Sequence, residues 1–162
     1  MRQLPRLQLE PVPHPELCWG SGSFFGRGYF TREAVEEIHT LLDQKFAAAG
    51  AKIDRYYVCP HHPEDNCDCR KPKPKSLLDA AAKYGLNLAQ CFMIGDRASD
   101  IQCGRNAGTR TVLVLTGAGK ETLTEGDVKP DSVATDISAA ANWILQSPAA
   151  TSQAGVESVR DR

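Results

Sequence analysis

Residues 91–100 read Cys-Phe-Met-Ile-Gly-Asp-Arg-Ala-Ser-Asp, and they give the clearest indication of the class of fold. The apolar run over residues 91–94 is typical of a short buried strand. Residues 98–107 then have the pattern of a helix, which Gly108 is expected to end. A buried strand that passes directly into a helix is the repeating unit of α/β domains with a mainly parallel sheet.

The regions on either side continue this alternation of strands and helices. Thr31 is a candidate N-cap for a helix with an apolar stripe at Val35, Ile38, Leu42 and Phe46, and Gly50 is expected to end it. We therefore predict a three-layer, Rossmann-like α/β fold, in which ligands bind at the carboxyl ends of the strands. The other predicted elements are strands at 53–58, at 111–115 and near Val133, a helix that follows Pro74 and ends at Gly85, and a helix over 137–145.

Composition narrows the class of protein. The chain has 162 residues, of which 41% are hydrophobic and 24% charged, and its formal net charge is −1. This balance is ordinary for a globular chain and gives no basic field for nucleic acid. No apolar run approaches the roughly 18–20 residues that a membrane span needs, and the first 20 residues lack the apolar core of a signal peptide. We expect a cytoplasmic protein whose cysteines are thiols or metal ligands.

The composition also changes along the chain. Residues 1–26 contain four prolines and a Gly-Ser-Gly-Ser run, which predict an irregular, disordered arm. Residues 27–146 are expected to form one domain. Residues 147–162 are small and polar, and we predict a disordered tail there.

A cluster of cysteine and histidine residues lies between the predicted strand at 53–58 and the following helix. Cys59, His61, Cys67 and Cys69 fall within eleven residues and supply a Cys₃His set, which binds structural zinc in other proteins. Four protein ligands leave no open position, so the zinc would be structural. Two alternatives are open: an unligated surface loop, or a redox pair formed by Cys67 and Cys69. His62 is expected to face solvent or to lie behind the ligands.

Two groups of polar residues predict a phosphate site. Arg70 and Lys71 follow the last cysteine and could grip a phosphoryl group, although a solvated basic patch with Lys73 and Lys75 is the alternative. Asp96 and Asp100 follow the strand at 91–94, where carboxylates suit Mg²⁺. The alternative there is that Asp96 or Ser99 only caps the next helix.

These residues carry a family resemblance. Ile94-Gly95-Asp96-Arg97-x-x-Asp100 resembles the fourth motif of haloacid-dehalogenase-like (HAD) phosphatases. The run from Cys59-Pro-His-His to Cys-Asp-Cys-Arg-Lys-Pro is similar to the zinc loop of their D-glycero-D-manno-heptose 1,7-bisphosphate 7-phosphatase branch, to which histidinol-phosphatase is close. Residues 27–31, Arg-Gly-Tyr-Phe-Thr, are similar to the start of that family's first helix. The resemblance covers about residues 27 to 143.

The resemblance implies a Mg²⁺-dependent phosphomonoesterase that acts on a small phosphorylated sugar and works through an aspartyl phosphate. It implies that Lys71 binds phosphate, that Arg70 and Arg97 contact substrate, and that Asp96 is a Mg²⁺ ligand. Asp100 would order the water around the metal, or the loop. The alternatives are a histidinol-phosphatase and a non-catalytic, zinc-stabilised phosphate-binding protein.

The family's first motif, an apolar strand that ends in Asp-x-Asp-Gly-Thr, has no counterpart in this sequence. Asp43 falls in a predicted helix, and Asp54 has no aspartate two residues later. Residues 20–24, Gly-Ser-Gly-Ser-Phe, stand where the family has its second motif. The sequence therefore predicts that the first strands, the nucleophile and the general acid are missing, and that the chain is inactive.

Overall fold

The computed structural model describes residues 31–147, which contain five α-helices and three β-strands. The predicted arm at 1–26 and almost all of the predicted tail at 147–162 lie outside the described residues. Two short 3₁₀ turns, Pro63–Asp65 and Leu88–Gln90, complete the described part. The helices are α1 (Arg32–Ala48), α2 (Lys75–Tyr84), α3 (Ala98–Ala107), α4 (Gly119–Glu125) and α5 (Ile137–Leu145), and the strands are β1 (Phe92–Gly95), β2 (Arg110–Val114) and β3 (Ser132–Ala134).

The three strands form one parallel sheet in the order β1-β2-β3. Met93 pairs with Thr111, and Leu113 pairs with Val133. Each pair of neighbouring strands is connected by a helix, as parallel strands require. The prediction of a mainly parallel α/β sheet is confirmed.

Helices cover both faces of the sheet and produce the three layers. On one face, Val112, Val114 and Ala134 pack against Ala140 of α5. On the other face, Gly104 of α3 lies directly over the side chains of Met93 and Thr111. Because neighbouring residues of a strand point to opposite faces, a strand covered on both sides reads as a continuous apolar run. Val112 and Leu113 of β2 are both fully buried, as that pattern predicts.

The predicted strand at 53–58 is wrong, since these residues have no β-structure. A strand needs a ladder partner, and β1 is the edge of the sheet among residues 31–147. The segment packs on α1 instead: the ring of Tyr56 stacks on His39 with a centroid separation of 3.8 Å, and its hydroxyl donates to Asp43 Oδ1 at 2.9 Å. Burial, followed by the bond to Asp43, raises the pKa of Tyr56 to about 12.

Helix α1 forms as predicted, but its apolar stripe is only partly covered. Thr31 Oγ1 accepts a hydrogen bond from the Ala34 N–H, so the predicted N-cap is confirmed. Val35 is buried, whereas Ile38 is 38% exposed. The apolar period predicted the helix correctly, but it could not predict which residues of the stripe would be buried. Across residues 31–147, no helix has both the length and the apolarity to cross a membrane.

Helix α4 was not predicted from the sequence. Its seven residues, Gly-Lys-Glu-Thr-Leu-Thr-Glu, contain one large apolar side chain, Leu123, so no helical period can be read. Helices α2 and α3 end at the glycines from which their ends were predicted. Gly85 and Gly108 are the C-caps of α2 and α3, and both adopt positive φ.

Candidate functional site

The loop over residues 59–69, here called the metal loop, brings its four predicted ligands together. One ligand atom from each of Cys59, His61, Cys67 and Cys69 lies within 4.8 Å of all the others. The three Sγ–Sγ distances are 3.5, 3.2 and 3.7 Å. His61 Nδ1 lies 3.7 Å from Cys59 Sγ and 3.2 Å from Cys69 Sγ.

These distances fit a tetrahedral zinc site. Sulfur ligands about 2.3 Å from a central ion, at tetrahedral angles, lie about 3.8 Å apart. Burial, followed by hydrogen bonds with Cys59 and Cys67, raises the pKa of the Cys69 thiol to about 12. The metal loop is therefore a Cys₃His site that could bind zinc, and its closed ligand set is of the structural kind.

Side chains that the sequence analysis did not assign to the metal loop hold its shape. Lys73 Nζ donates to the carbonyl oxygens of Asn66 and Cys67, at 3.0 and 2.9 Å. His62 Nδ1 accepts from the Glu64 N–H and caps the 3₁₀ turn, so this exposed imidazole lies outside the ligand cluster, as predicted. Arg70 donates through Nη2 to the His61 carbonyl. Arg70 and Lys73 of the basic segment are therefore bonded to the metal loop. A patch of basic side chains that only faced solvent would not make these bonds.

Lys71 is bound to the helix that follows β1. Its Nζ lies 2.5 Å from Asp100 Oδ1, and the side chains of Lys71 and Asp100 are 23% and 9% exposed. Asp100 Oδ2 also accepts the Arg97 N–H at 3.1 Å. The ion pair joins residues 29 positions apart and fixes the lysine at the carboxyl end of β1.

Two further residues of α3 hold the segment that carries Lys71. Asn106 Nδ2 donates to the Pro72 carbonyl at 2.9 Å, and the buried Cys103 thiol donates to the Lys73 carbonyl at 3.5 Å. With Asp100 they recur every three positions, on one side of the helix. Sequence reasoning missed both contacts, because an asparagine and a cysteine inside a helix give no local signal of a partner about 30 residues away.

The contacts at the start of α3 explain why the motif at residues 94–100 has glycine at position 95 and aspartate at position 100. Gly95 lies so close to Asp100 that a Cβ on it would be 2.3 Å from the Asp100 Cβ, so only glycine lets this carboxylate lie against the strand end. Arg97, which is exposed, is the N-cap residue, and Asp100 accepts its N–H. The alternative that Asp96 or Ser99 caps the helix is therefore wrong.

Asp96 lies between the end of β1 and the start of α4. Its Oδ2 accepts the Ala118 N–H at 2.9 Å, and its carbonyl accepts the Thr122 hydroxyl at 3.0 Å. Within residues 31–147, Oδ1 has no hydrogen bond or ion pair. Mg²⁺ typically takes one or two carboxylates together with phosphate oxygens and water, so Asp96 Oδ1 fits one position of such a site. Both oxygens of Asp100 are already paired, so Asp100 offers Mg²⁺ no equally free oxygen.

Comparisons with known proteins agree with this arrangement. The family model described as HAD-hydrolase-like matches residues 68–140. The chain is 36% identical over 125 residues to the D-glycero-beta-D-manno-heptose-1,7-bisphosphate 7-phosphatase of Bordetella bronchiseptica, which covers 76% of this chain and 70% of that protein. It is 35% identical over 124 residues to the phosphatase of the same name from Pseudomonas aeruginosa, again over 76% of this chain and 70% of the relative.

Solved structures agree as well. The D,D-heptose 1,7-bisphosphate phosphatase of B. bronchiseptica, crystallised with magnesium and phosphate, matches with a TM-score of 0.75 and 33% identity, over 81% of this chain and 74% of that one. The enzyme of the same name from Burkholderia thailandensis matches with a TM-score of 0.61 and 26% identity, over 80% and 74%. These relatives favour the heptose branch over histidinol-phosphatase. The chain belongs to the D-glycero-beta-D-manno-heptose-1,7-bisphosphate 7-phosphatase family of HAD-like hydrolases.

Proposed function

We propose that this chain binds the 7-phosphate of D-glycero-D-manno-heptose 1,7-bisphosphate, together with Mg²⁺, at the carboxyl end of β1. The observation that carries the proposal is the largely buried pair of Lys71 Nζ and Asp100 Oδ1, which lie 2.5 Å apart, with Asp100 in the same strand-end motif as Asp96. We call Lys71, Asp96 and Asp100 the strand-end site. Sugar phosphates of this type are the substrates named for the relatives.

Each residue of the strand-end site has a distinct part in this proposal. An ammonium group has three donors, so Lys71 can bind Asp100 and still donate to phosphoryl oxygens. Asp100 keeps Lys71 in one position, and Asp96 holds the cation through Oδ1. When bound, Mg²⁺ supplies positive charge to the phosphoryl oxygens.

Two arginines complete the proposed substrate contacts. Arg70 is oriented by its bond to the His61 carbonyl, so the metal loop fixes the direction of its guanidinium. Arg97 is exposed at the start of α3, where it can reach a second charged group of the sugar. Guanidinium groups suit phosphate because they donate two parallel hydrogen bonds.

Hydrolysis by the family mechanism also needs a carboxylate that attacks phosphorus and a second one that protonates the leaving oxygen. No Asp-x-Asp sequence occurs anywhere in the 162 residues. Groups that only stabilise charge cannot replace an attacking group, and removal of a nucleophile typically lowers the rate by about 10⁵–10⁶. We therefore expect the chain as written to bind substrate without ordinary turnover.

Two measurements test the proposal. Phosphate release from heptose 1,7-bisphosphate with Mg²⁺ should stay far below about 1 s⁻¹, an ordinary enzyme rate. Turnover above that value that is abolished by Asp96→Asn would mean that an unrecognised nucleophile exists. Histidinol phosphate, assayed in parallel, tests the alternative substrate.

Binding is measured separately by titration with inorganic phosphate and Mg²⁺. The double variant Lys71→Met/Asp100→Asn, which removes both charges together, should lose phosphate binding. Lys75→Met is the matched control, because Lys75 belongs to the same basic segment but pairs with Asp79 on the exposed side of α2. Equal binding by the two variants would contradict the proposal.

A further inference from the structure

The loop between β2 and α4 and helix α4 itself each hold Asp96 at one point. The Ala118 N–H donates to Asp96 Oδ2, and the Thr122 hydroxyl donates to the Asp96 carbonyl. These contacts join residues 22 and 26 positions apart, so the sequence around Asp96 gives no sign of them. The loop therefore determines where the carboxylate lies and which of its oxygens is already paired.

Gly117, the residue before Ala118, has no room for a side chain beside the carboxylate. A Cβ at this position would lie 2.2 Å from Asp96 Oδ2 and 3.1 Å from its Cγ, which is far inside van der Waals contact. The backbone of Gly117 also has a φ of +57°, which residues with a Cβ rarely adopt. A side chain here would push the carboxylate away from the Ala118 N–H, or the loop away from Asp96.

We propose that Gly117 is a positioning residue for Asp96. By lacking a Cβ, it lets the Ala118 N–H bind Oδ2, so that a divalent cation is offered Oδ1 alone. The identification of Asp96 as the cation ligand rests on the proposed function, whereas the contact between the loop and the carboxylate does not. Groups that orient a ligating carboxylate typically change metal affinity by about 10–100-fold when they are lost.

The chain contains a matched control for this position. Gly126, at the other end of α4, has a φ of +72°, but a Cβ there would have nothing within 4 Å. Gly117→Ala and Gly126→Ala therefore introduce the same methyl group at a left-handed position. Only the first introduces it against a carboxylate, so a difference between the two variants measures the contact and not the backbone strain.

Two readouts on the full chain test the inference. The first is hydrogen exchange of the Ala118 amide, measured by NMR. It should be slow in the starting protein and in Gly126→Ala, and fast in both Gly117→Ala and Asp96→Ala. The second is Mn²⁺ affinity, measured by paramagnetic broadening of nearby amides. It should fall by about tenfold or more in Gly117→Ala and change little in Gly126→Ala.

The outcomes separate this inference from the proposed function. Slow Ala118 exchange in Gly117→Ala, or equal Mn²⁺ affinities for the two glycine variants, would overturn the positioning role. If the starting protein and Asp96→Ala both show no Mn²⁺ broadening, Asp96 is not a cation ligand and that part of the proposed function fails. In that case the exchange of Ala118 still decides whether Gly117 holds the carboxylate.

Discussion

The metal loop and the strand-end site meet in the chain at Lys71, two residues after Cys69, but they are built in different ways. All four candidate ligands of the metal loop fall between residues 59 and 69, and Lys73 adds bonds over six or seven positions. The strand-end site joins Lys71 to Asp100, and Asp96 to Ala118, over 29 and 22 positions. The first is a local structure that an ion could hold together, whereas the second exists only after the sheet and α3 have formed.

Arg70 and the face of α3 connect these two regions. Arg70 donates to the metal loop, and Asp100 and Asn106 of α3 bind the next two residues, Lys71 and Pro72. The segment that carries the proposed phosphate-binding lysine is therefore held from both sides. Substitutions in either region should therefore weaken phosphate binding, but through different residues and by different amounts.

The largest effect is expected from Cys69→Ser, which removes one ligand of the metal loop. Structural zinc contributes on the order of 10 kcal/mol of apparent binding free energy in small motifs, so the purified variant should hold far less than one zinc per chain. Phosphate binding should also weaken, because Lys71 is two residues away. Metal analysis and phosphate titration are the measurements.

Cys91→Ser is the control for this prediction. The Cys91 thiol lies outside the cluster and donates to the Asn87 carbonyl, so its loss should leave the zinc content at about one ion per chain. Absence of zinc from the folded, reduced starting protein would contradict the assignment of the metal loop.

The next effect concerns the buried ion pair of the strand-end site. Lys71→Met leaves the Asp100 carboxylate buried with only the Arg97 N–H, and breaking such a pair from one side costs about 3–5 kcal/mol of unfolding free energy. Lys75→Met breaks a half-exposed pair on α2 and should cost less than about 1 kcal/mol. Denaturant unfolding of both variants checks this, and similar losses would mean that the Lys71 pair is not effectively buried.

A smaller effect is expected where α3 holds the Pro72 carbonyl. Asn106→Ala removes the neutral hydrogen bond to the Pro72 carbonyl and the exposed one that Asn106 Oδ1 accepts from Gln102 Nε2, and should lower the unfolding free energy by about 1–2 kcal/mol. It should also weaken phosphate binding modestly without changing the zinc content, because the contact lies on the α3 side of the segment. Asn142→Ala, at an exposed position of α5, is the comparison. Loss of zinc in Asn106→Ala would show that the contacts of this segment with α3 and with the metal loop are not independent.

The smallest effect is a pH dependence at the opposite end of the sheet. Burial tends to raise the pKa of Asp131, but hydrogen bonds from the Thr111 N–H and hydroxyl outweigh it and hold the pKa below its usual value of 3.8. The folded state then binds fewer protons than the unfolded state, so this stabilisation is complete above about pH 4 and is lost as the pH falls through the folded pKa.

Asp131→Asn tests this prediction. Unfolding measured between pH 6 and 3 should show that the stability difference between the starting protein and the variant shrinks as the pH falls. A difference that stays constant over this range would contradict the lowered pKa. Because Thr111 lies near the start of β2, at the end of the sheet opposite the strand-end site, the variant also serves as a reference for changes away from that site.

Much of the local structure could be predicted because its causes are local. The helix ends at Gly85 and Gly108 followed from glycine's access to positive φ, and β2 followed from an uninterrupted apolar run. The metal loop was found because its ligand types are rare and close together. The strand at 53–58 was predicted wrongly, because β-branched and aromatic residues favour a strand only where a partner strand is available.

The class of fold, the metal loop and the candidate residues Lys71, Asp96 and Asp100 could be predicted from the sequence alone, since residue type and short spacing carry that information. The three-dimensional structure was needed to find that Asp100 pairs with Lys71 and that Asn106 and Cys103 bind the segment next to Lys71. It was also needed to find that the loop at Gly117 places the Ala118 N–H against one oxygen of Asp96. These contacts join residues 22 to 34 positions apart. They depend on how closely the helices pack against the sheet and against each other. Such packing distances cannot be read from residues that are neighbours in the sequence.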